Sequence, residues 1–287
     1  MLPVYGSLVP STLDEALELL AGRGEVLPIA GGTNIVVAMR AGQHRGQTLM
    51  DVTHLDDLRG IRLEGGYVVI GGGTTVAELR DSPLIAKHAR ALHQATKVFA
   101  NPLVRNRATV AGNIVDASPG ADTAPPLMVL GAEVRLISAN GSRQLPLEQF
   151  MVGVNQTLRQ PDELVVAIRW PIPLAHSASA YHKLALRKGT ACSVVSVAVM
   201  VAGDGNGRIS QARIALGAVA VKPIRAYAAE EALAGQVLTG GAMEEAARLA
   251  AQVARPIDDV RSTAAYRSRM VGVLTRRLLT EAAAELG

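Results

Sequence analysis

Two short glycine-rich segments constrain the fold of this 287-residue chain most strongly. The first is Ala-Gly-Gly-Thr-Asn at residues 30–34, directly after an apolar run, and the second is Thr-Val-Ala-Gly-Asn at residues 109–113. Small residues leave backbone N–H groups bare, and clusters of bare N–H groups bind phosphate. Taken singly, each segment is also explained as a strand-to-helix turn that needs glycine. As a pair, they predict two loops that enclose a pyrophosphate from both sides.

Neither segment matches the common nucleotide-binding patterns. Residues 71–75, Gly-Gly-Gly-Thr-Thr, lack the lysine of a P-loop, and no G-x-G-x-x-G lies between a predicted strand and helix. The chain also has no H-E-x-x-H, G-x-S-x-G or C-x-x-C motif, and its six histidines do not pair at ligand spacing. We therefore expect no metal site on this chain.

The single cysteine, Cys192, excludes an internal disulfide and any cluster that needs several thiolates. We expect Cys192 to be a small buried residue on an apolar strand.

The composition, with 49% apolar residues, predicts a large core divided between two domains. The formal charge is +4, but the basic residues are scattered, which argues against nucleic-acid binding. A basic patch that faces an acidic protein partner is an equal or better interpretation.

Residues 1–6 show no signal-peptide pattern. The longest apolar run, residues 194–202, is shorter than the roughly 20 residues that span a bilayer. We expect a cytoplasmic protein without a membrane span.

Apolar periodicity and turn residues predict the elements of the first domain. The predicted helices are residues 12–20, 34–39, 76–79 and 83–98. The predicted strands are residues 26–30, 47–52, 67–70, 133–137, 144–145 and 163–170. Thr75 and Glu78 stand at capping-box spacing, and Asn140-Gly141 is typical of a hairpin turn.

A linker at residues 171–179 separates this domain from a second one of α+β type. Strands are predicted at residues 181–186, 193–202 and 208–216, with a hairpin signal at 204–207, and helices at 225–234, 243–254 and 262–286.

Residues 116–125, just after the second glycine-rich segment, are unusually rich in small polar residues. Such a stretch suits a backbone that approaches a ligand closely. Within it, Asp122 is suited to accept hydrogen bonds from ribose hydroxyls. The alternative is that Asp122 forms an Asx-turn before Pro125.

These segments resemble the FAD-binding medium subunits of molybdenum hydroxylases, a family that includes xanthine dehydrogenase and bacterial carbon monoxide dehydrogenase. Family-typical runs also occur at residues 70–79, 117–122 and 262–277. The resemblance implies an α+β chain with a two-lobed FAD-binding domain of the vanillyl-alcohol-oxidase (PCMH) type at residues 1–174, its lobes at about 1–55 and 56–174. A smaller α+β domain, a three-stranded antiparallel sheet with helices, is implied at residues 178–287.

The resemblance also implies the residues that bind FAD. One side of the pyrophosphate is assigned to Ala30, Gly31, Gly32, Thr33 and Asn34, and the other side to Ala108, Thr109, Gly112 and Asn113. The adenosine or ribityl region is assigned to Ser118 and Asp122, the adenine end to Phe99, and the flavin to Val165 and Lys183. A cation such as Lys183 near the flavin would stabilise its reduced, anionic form. The alternative is a strand-edge lysine in solvent.

The implied function is that of an electron-transfer subunit. Two [2Fe–2S] clusters on a small partner subunit would deliver electrons to FAD, and a large molybdopterin-binding partner would oxidise the substrate. The complex is expected as a dimer of heterotrimers, with NAD⁺, a quinone or oxygen as acceptor. No catalytic acid or base is expected, because the flavin carries the chemistry.

This sequence departs from the family pattern at two places, and one of them bears on the expected substrate. Residues 187–193 lack the acidic residue that many relatives carry, and Thr33-Asn34 stands where the carbon monoxide dehydrogenase branch has His-Ser. Carbon monoxide is therefore less expected as the substrate. The alternatives are a free-standing flavin oxidase, for which the loops lack an attachment His or Cys, and a non-catalytic module for another phosphate ligand.

Overall fold

A small parallel sheet opens the chain in the computed structural model, which describes residues 5–22 and 25–286. Its elements are β1 (Gly6–Leu8), α1 (Leu13–Gly22), β2 (Val26–Ile29), α2 (Ile35–Arg40) and β3 (Thr48–Asp51). The strand order is β1-β3-β2, and α1 and α2 provide the crossovers that parallel strands require. The first glycine loop therefore leaves the end of β2 and enters α2. Residues 1–4, part of the segment for which we expect no signal peptide, lie outside the described residues.

The second sheet of the first domain is antiparallel and has five strands. The strands that follow a 3₁₀ turn at Asp56–Leu58 are β4 (Ile61–Glu64), β5 (Tyr67–Gly71), β6 (Glu133–Ser138), β7 (Gly141–Pro146), β8 (Met151–Gly153), β9 (Gln156–Thr157) and β10 (Leu164–Pro171), and all but β8 and β9 belong to this sheet. The sheet order is β4-β5-β10-β6-β7, while β8 and β9 form a separate hairpin. β10 is the central strand of this sheet, six of its eight residues are buried, and Trp170 is fully buried.

Most helices of this domain fall between β5 and β6. They are α3 (Val76–Asp81), α4 (Pro83–His88), α5 (Arg90–Val98), α6 (Pro102–Arg105), α7 (Val110–Val115) and α8 (Ala124–Val129), and α9 (Leu147–Phe150) follows β7. Their apolar side chains, such as Leu79, Leu92 and Leu127, join Ile70 and Trp170 in one core. The second glycine loop begins α7 and is thereby anchored in this core.

The carboxyl-terminal part pairs one antiparallel sheet with three helices. Its elements are β11 (Ser177–Ala185), β12 (Ser193–Gly203), β13 (Ile209–Gly217), β14 (Ile224–Arg225), α10 (Tyr227–Leu233), α11 (Gly240–Val253) and α12 (Ala264–Leu286), with sheet order β11-β12-β13-β14. On β12, Val197 and Val199 pack against the helices, whereas Ala198 and Met200 join the core of the first domain. Both faces of β12 are therefore apolar, as expected for a strand covered on both sides.

The predicted α+β class and several local signals are confirmed. Thr75 and Glu78 form the complete capping box at the start of α3. The Asp204 carboxylate accepts hydrogen bonds from the Asn206 and Arg208 N–H groups, and this turn joins β12 to β13. Among the described residues, no helix is long and apolar enough to cross a membrane.

Four local predictions need correction. The predicted helix 83–98 is two helices, because Ala89 adopts φ −151° between α4 and α5. The sheet of the second domain, predicted with three strands, has a fourth strand, β14, whose two residues are too short to give an alternating pattern. The predicted linker is shorter, since β10 extends to Pro171 and β11 begins at Ser177. Cys192 is exposed, because it precedes β12 instead of lying within it.

Candidate functional site

The first glycine loop lies directly against the backbone that leads into the second. A Cβ atom at Gly31 would stand 1.8 Å from the Arg107 carbonyl oxygen, which no side chain can accommodate. Gly32 has φ +71°, in the left-handed region that favours glycine. Ala30 packs against the apolar cluster around Leu17 and Met50. The two predicted loops therefore meet, and glycine is required at their point of contact.

The backbone N–H groups of the first loop are available to a ligand. Those of residues 31–34 donate to no acceptor within residues 5–22 and 25–286, and the Thr33 hydroxyl has no partner there either. Asn34, at the start of α2, makes no side-chain capping bond to that helix. A run of bare donors at a helix start suits a phosphate. This arrangement fits the pyrophosphate of FAD.

The second glycine loop uses its N–H groups inside the protein. The Thr109 hydroxyl accepts from Gly112 N at 3.1 Å, and its carbonyl accepts from Asn113 N at 3.0 Å. The N–H groups of residues 110 and 111 donate to the carbonyls of residues 74 and 72. The Asn113 side-chain oxygen accepts from the Thr123 hydroxyl at 2.7 Å. The second loop is therefore braced by its own hydrogen bonds, and it has fewer free backbone N–H donors than its sequence suggests.

A third glycine segment, residues 71–75, lies between the second loop and β10. A Cβ atom at Gly72 would stand 2.2 Å from the Val165 carbonyl oxygen and 3.2 Å from the Ala111 side chain. Val165 therefore contacts this third glycine segment, which in turn contacts the second loop at Ala111. The site assignment from the sequence omits this segment, although its run of three glycines was a signal for close backbone approach.

Phe99 and Ala108 form a small apolar cluster with Val76. The Val76 N–H donates to the Ala108 carbonyl at 2.9 Å, which ties α3 to the second loop. Phe99 is buried, and its carbonyl accepts from the Arg105 guanidinium at 2.7 Å. The predicted adenine-end residue thus adjoins the predicted pyrophosphate residues.

Asp116, at the end of α7, connects the second loop to the first. Burial raises the pKa of the Asp116 carboxyl above its usual value, and a hydrogen bond with Asn34 partly offsets this rise. Asp116 was not among the predicted site residues, because nothing in the local sequence indicates its contact with Asn34.

Asp122 and Lys183 form a buried ion pair. The Lys183 ammonium donates to Asp122 Oδ2 at 2.5 Å, and the two side chains are 5% and 8% exposed. The Asp122 carboxylate is thus engaged by another domain, so the Asx-turn alternative is wrong. The solvent-exposed alternative for Lys183 is wrong for the same reason. Burial raises the pKa of Asp122, whereas the Lys183 charge opposes that rise.

Ser118 lies in a turn held between the two domains. Its hydroxyl accepts from Gly120 N at 3.3 Å, and Ala117 before it has φ +47°. The Pro119 carbonyl accepts from Ala218 N at 2.7 Å, so the carboxyl-terminal sheet supports this turn. The structure therefore places Ser118 on the segment that follows the second loop and carries Asp122, in contact with the residue after β13.

Comparison with known proteins identifies the family to which the chain belongs. The family described as "FAD binding domain in molybdopterin dehydrogenase" matches residues 3–173, and the "CO dehydrogenase flavoprotein C-terminal domain" matches residues 179–282. The chain belongs to the family of FAD-binding medium subunits of molybdopterin dehydrogenases, which confirms the resemblance seen in its sequence.

Individual relatives cover almost the whole chain. The carbon monoxide dehydrogenase medium chain of Hydrogenophaga pseudoflava is 33% identical over 281 residues, which is 98% of this chain and 97% of that one. The xanthine dehydrogenase FAD-binding subunit of Escherichia coli O157:H7 is 31% identical over 96% of this chain and 95% of its own length. A solved structure of the Hydrogenophaga pseudoflava carbon monoxide dehydrogenase superposes with TM-score 0.95 at 34% identity, covering 99% of each chain.

Proposed function

We propose that this chain is the FAD-carrying electron-transfer subunit of a three-subunit molybdenum hydroxylase. Electrons pass from two [2Fe–2S] clusters on a small partner subunit to FAD and then to NAD⁺, a quinone or oxygen. A large partner subunit holds the molybdenum cofactor and oxidises the substrate, and the complex is a cytoplasmic dimer of heterotrimers. The names of the relatives support a medium-subunit role, and a chain with one cysteine cannot bind the clusters itself.

The observation that carries this proposal is the row of bare N–H groups at residues 31–34, set against the second loop. We assign the pyrophosphate to these two loops, the adenine end to Phe99, and the flavin end to Val165 and Lys183. The first domain is assigned to residues 1–174 and the second to residues 178–287. When bound, FAD supplies the redox chemistry, and the chain supplies binding, orientation and charge.

The contributions of the residues follow from their contacts. The first loop donates hydrogen bonds to phosphate oxygens, and the internal hydrogen bonds of the second loop hold it in a fixed shape beside the first. Asp122 and Lys183 join the two domains through a buried ion pair. No residue is needed as a general acid or base.

The test is to purify the tagged chain from its native cells, both alone and with the subunits that remain bound. The visible spectrum, and the flavin, iron and molybdenum per chain, are then measured. We expect flavin absorbance from this chain, and iron and molybdenum only when the partners are present. A chain without flavin in either preparation, even after incubation with FAD, contradicts the proposal. Flavin-dependent substrate oxidation by the chain alone supports a free-standing oxidase instead.

A further inference from the structure

The Asp122 carboxylate belongs to the first domain, yet its side-chain donors come from the second. Lys183 donates to Oδ2 at 2.5 Å, Ser193 donates to Oδ1 at 2.9 Å, and Tyr181 donates to Oδ1 at 3.3 Å. Tyr181 and Lys183 lie on β11 and Ser193 begins β12. All four side chains are buried. We call these four residues the carboxylate cluster.

The chemistry of the cluster explains why it needs two hydroxyl groups. A buried ion pair is stable only when hydrogen bonds satisfy its remaining lone pairs. Lys183 engages Oδ2, and Ser193 and Tyr181 satisfy Oδ1. Burial and the charge of Asp122 raise the pKa of Tyr181 well above its usual value, so the phenol stays neutral and remains a donor. The two hydroxyls therefore favour the ionised form of Asp122.

The cluster lies at the contact between the two domains. Alternate side chains on β11 reach the first domain, because Ser179 accepts from Ala91 N and Tyr181 and Lys183 reach Asp122. Beyond β11, the Thr190 N–H donates to the Ala100 carbonyl at 3.0 Å. The contact between the domains therefore extends from the segment that carries Asp122 to the segment that follows Phe99.

We infer that Ser193 and Tyr181 are positioning residues of the flavin site. Their hydrogen bonds to Asp122 keep its carboxylate ionised, so that Asp122 and Lys183 together form a pair with no net charge. This inference rests on the proposed function. A bound flavin then faces a compensated charge and not a lone ammonium. A lone cation would stabilise the negative charge that flavin gains on reduction, and would raise the reduction potential. The cluster accordingly holds the potential below the value that Lys183 alone would give.

The experiment measures the midpoint potential of bound FAD by spectroelectrochemical titration of the full chain with its copurified subunits. The variants are Asp122→Asn, Ser193→Ala and Tyr181→Phe. Ser193→Thr keeps the hydroxyl and is the rescue variant. Ser210→Ala is the matched control, since the Ser210 hydroxyl donates to the Ala202 carbonyl on the neighbouring strand and has no other partner among the described residues. Thermal unfolding is recorded for every variant.

We expect the largest positive shift of the potential in Asp122→Asn, and smaller shifts in the same direction in Ser193→Ala and Tyr181→Phe. Ser193→Thr and Ser210→Ala should match the wild type. If Asp122→Asn does not fold, Ser193→Ala and Tyr181→Phe carry the test.

Potentials that stay unchanged, or move in the negative direction, overturn the inference even if the variants unfold at lower temperature. Such a result would reveal a purely structural cluster. A wild-type chain that binds no FAD is a different outcome, because it overturns the proposed function and the inference with it.

Discussion

The two glycine loops have similar sequences but use their backbone N–H groups differently. Residues 31–34 offer four N–H groups that find no acceptor in the described parts of the chain, 5–22 and 25–286. Residues 110–113 have four N–H groups that donate to acceptors within the protein. The first loop is therefore suited to receive a ligand, and the second to hold its shape. A glycine-rich composition alone does not distinguish these two tasks.

The physical difference lies at the helix that each loop begins. Thr109 has the extended conformation of a helix cap, and its hydroxyl accepts from Gly112 N. Asn34 has a helical conformation, with φ −105° and ψ −46°, and makes no side-chain capping bond. The N–H groups at the start of α7 donate to acceptors within the chain, whereas those of residues 31–34, just before α2, find no acceptor in the part of the chain that the structure describes.

We expect the largest effect, on the amount of bound FAD, from Gly31→Val, which disrupts the contact between the loops. Its side chain would collide with the Arg107 carbonyl oxygen, so the loops must separate, at a cost of about 1–3 kcal/mol. We expect FAD per purified chain to fall strongly, as measured by flavin absorbance after gel filtration. Gly241→Ala is the control, because a Cβ atom there meets nothing within 4 Å. Normal FAD content in Gly31→Val would contradict the contact between the loops.

Thr109→Ala should act on stability more than on ligand contact. The change removes the hydroxyl that caps α7, and we expect the free energy of unfolding to fall by about 1 kcal/mol. Urea unfolding without FAD measures this loss, and Thr109→Ser should retain most of the stability. If Thr109→Ala unfolds like the wild type, the second loop is not braced in this way.

Thr33→Ala should show the opposite pattern to Thr109→Ala, with a larger effect on FAD binding than on stability. Because the Thr33 hydroxyl has no partner among the residues the structure describes, the free energy of unfolding should change by less than about 0.5 kcal/mol. The FAD dissociation constant, measured by fluorescence titration, should rise severalfold. Equal losses of stability in Thr33→Ala and Thr109→Ala would remove the distinction between the loops.

The smallest effect concerns Asp116, which joins the second loop to Asn34. Burial raises its folded-state pKa, so ionisation of Asp116 destabilises the fold as pH rises from the unfolded value of 3.8 through the folded value. Asp116→Asn should therefore be slightly more stable than the wild type at neutral pH, and the two should converge as pH falls. Urea midpoints between pH 7 and pH 4 measure this difference. A variant less stable than the wild type at neutral pH would contradict the assigned cause.

The sequence predicts features that depend on neighbouring residues better than those that depend on distant ones. The capping box of Thr75 and Glu78 and the turn at residues 204–207 are local, and both are confirmed. The pairing of Asp122 with Lys183 joins residues 61 positions apart, and no local pattern indicates it. The break at Ala89 lies within a continuous helical pattern.

The difference between the loops is also invisible in the sequence. The acceptors that occupy the N–H groups of residues 110 and 111 are carbonyls of residues 74 and 72, in a separate glycine segment. Only the tertiary structure brings that segment between β10 and the second loop. The resemblance to a known family implies which residues belong to the site, but it does not indicate which of their N–H groups lack an internal acceptor.

Hydrogen–deuterium exchange of the backbone amides, with and without FAD, tests the central claim most directly. Exchange at residues 31–34 should be fast without FAD and should slow markedly when FAD binds. Exchange at residues 110–113 should be slow in both states, because those N–H groups already donate within the protein. Protection by FAD that is confined to residues 110–113, or absent from residues 31–34, would contradict this account.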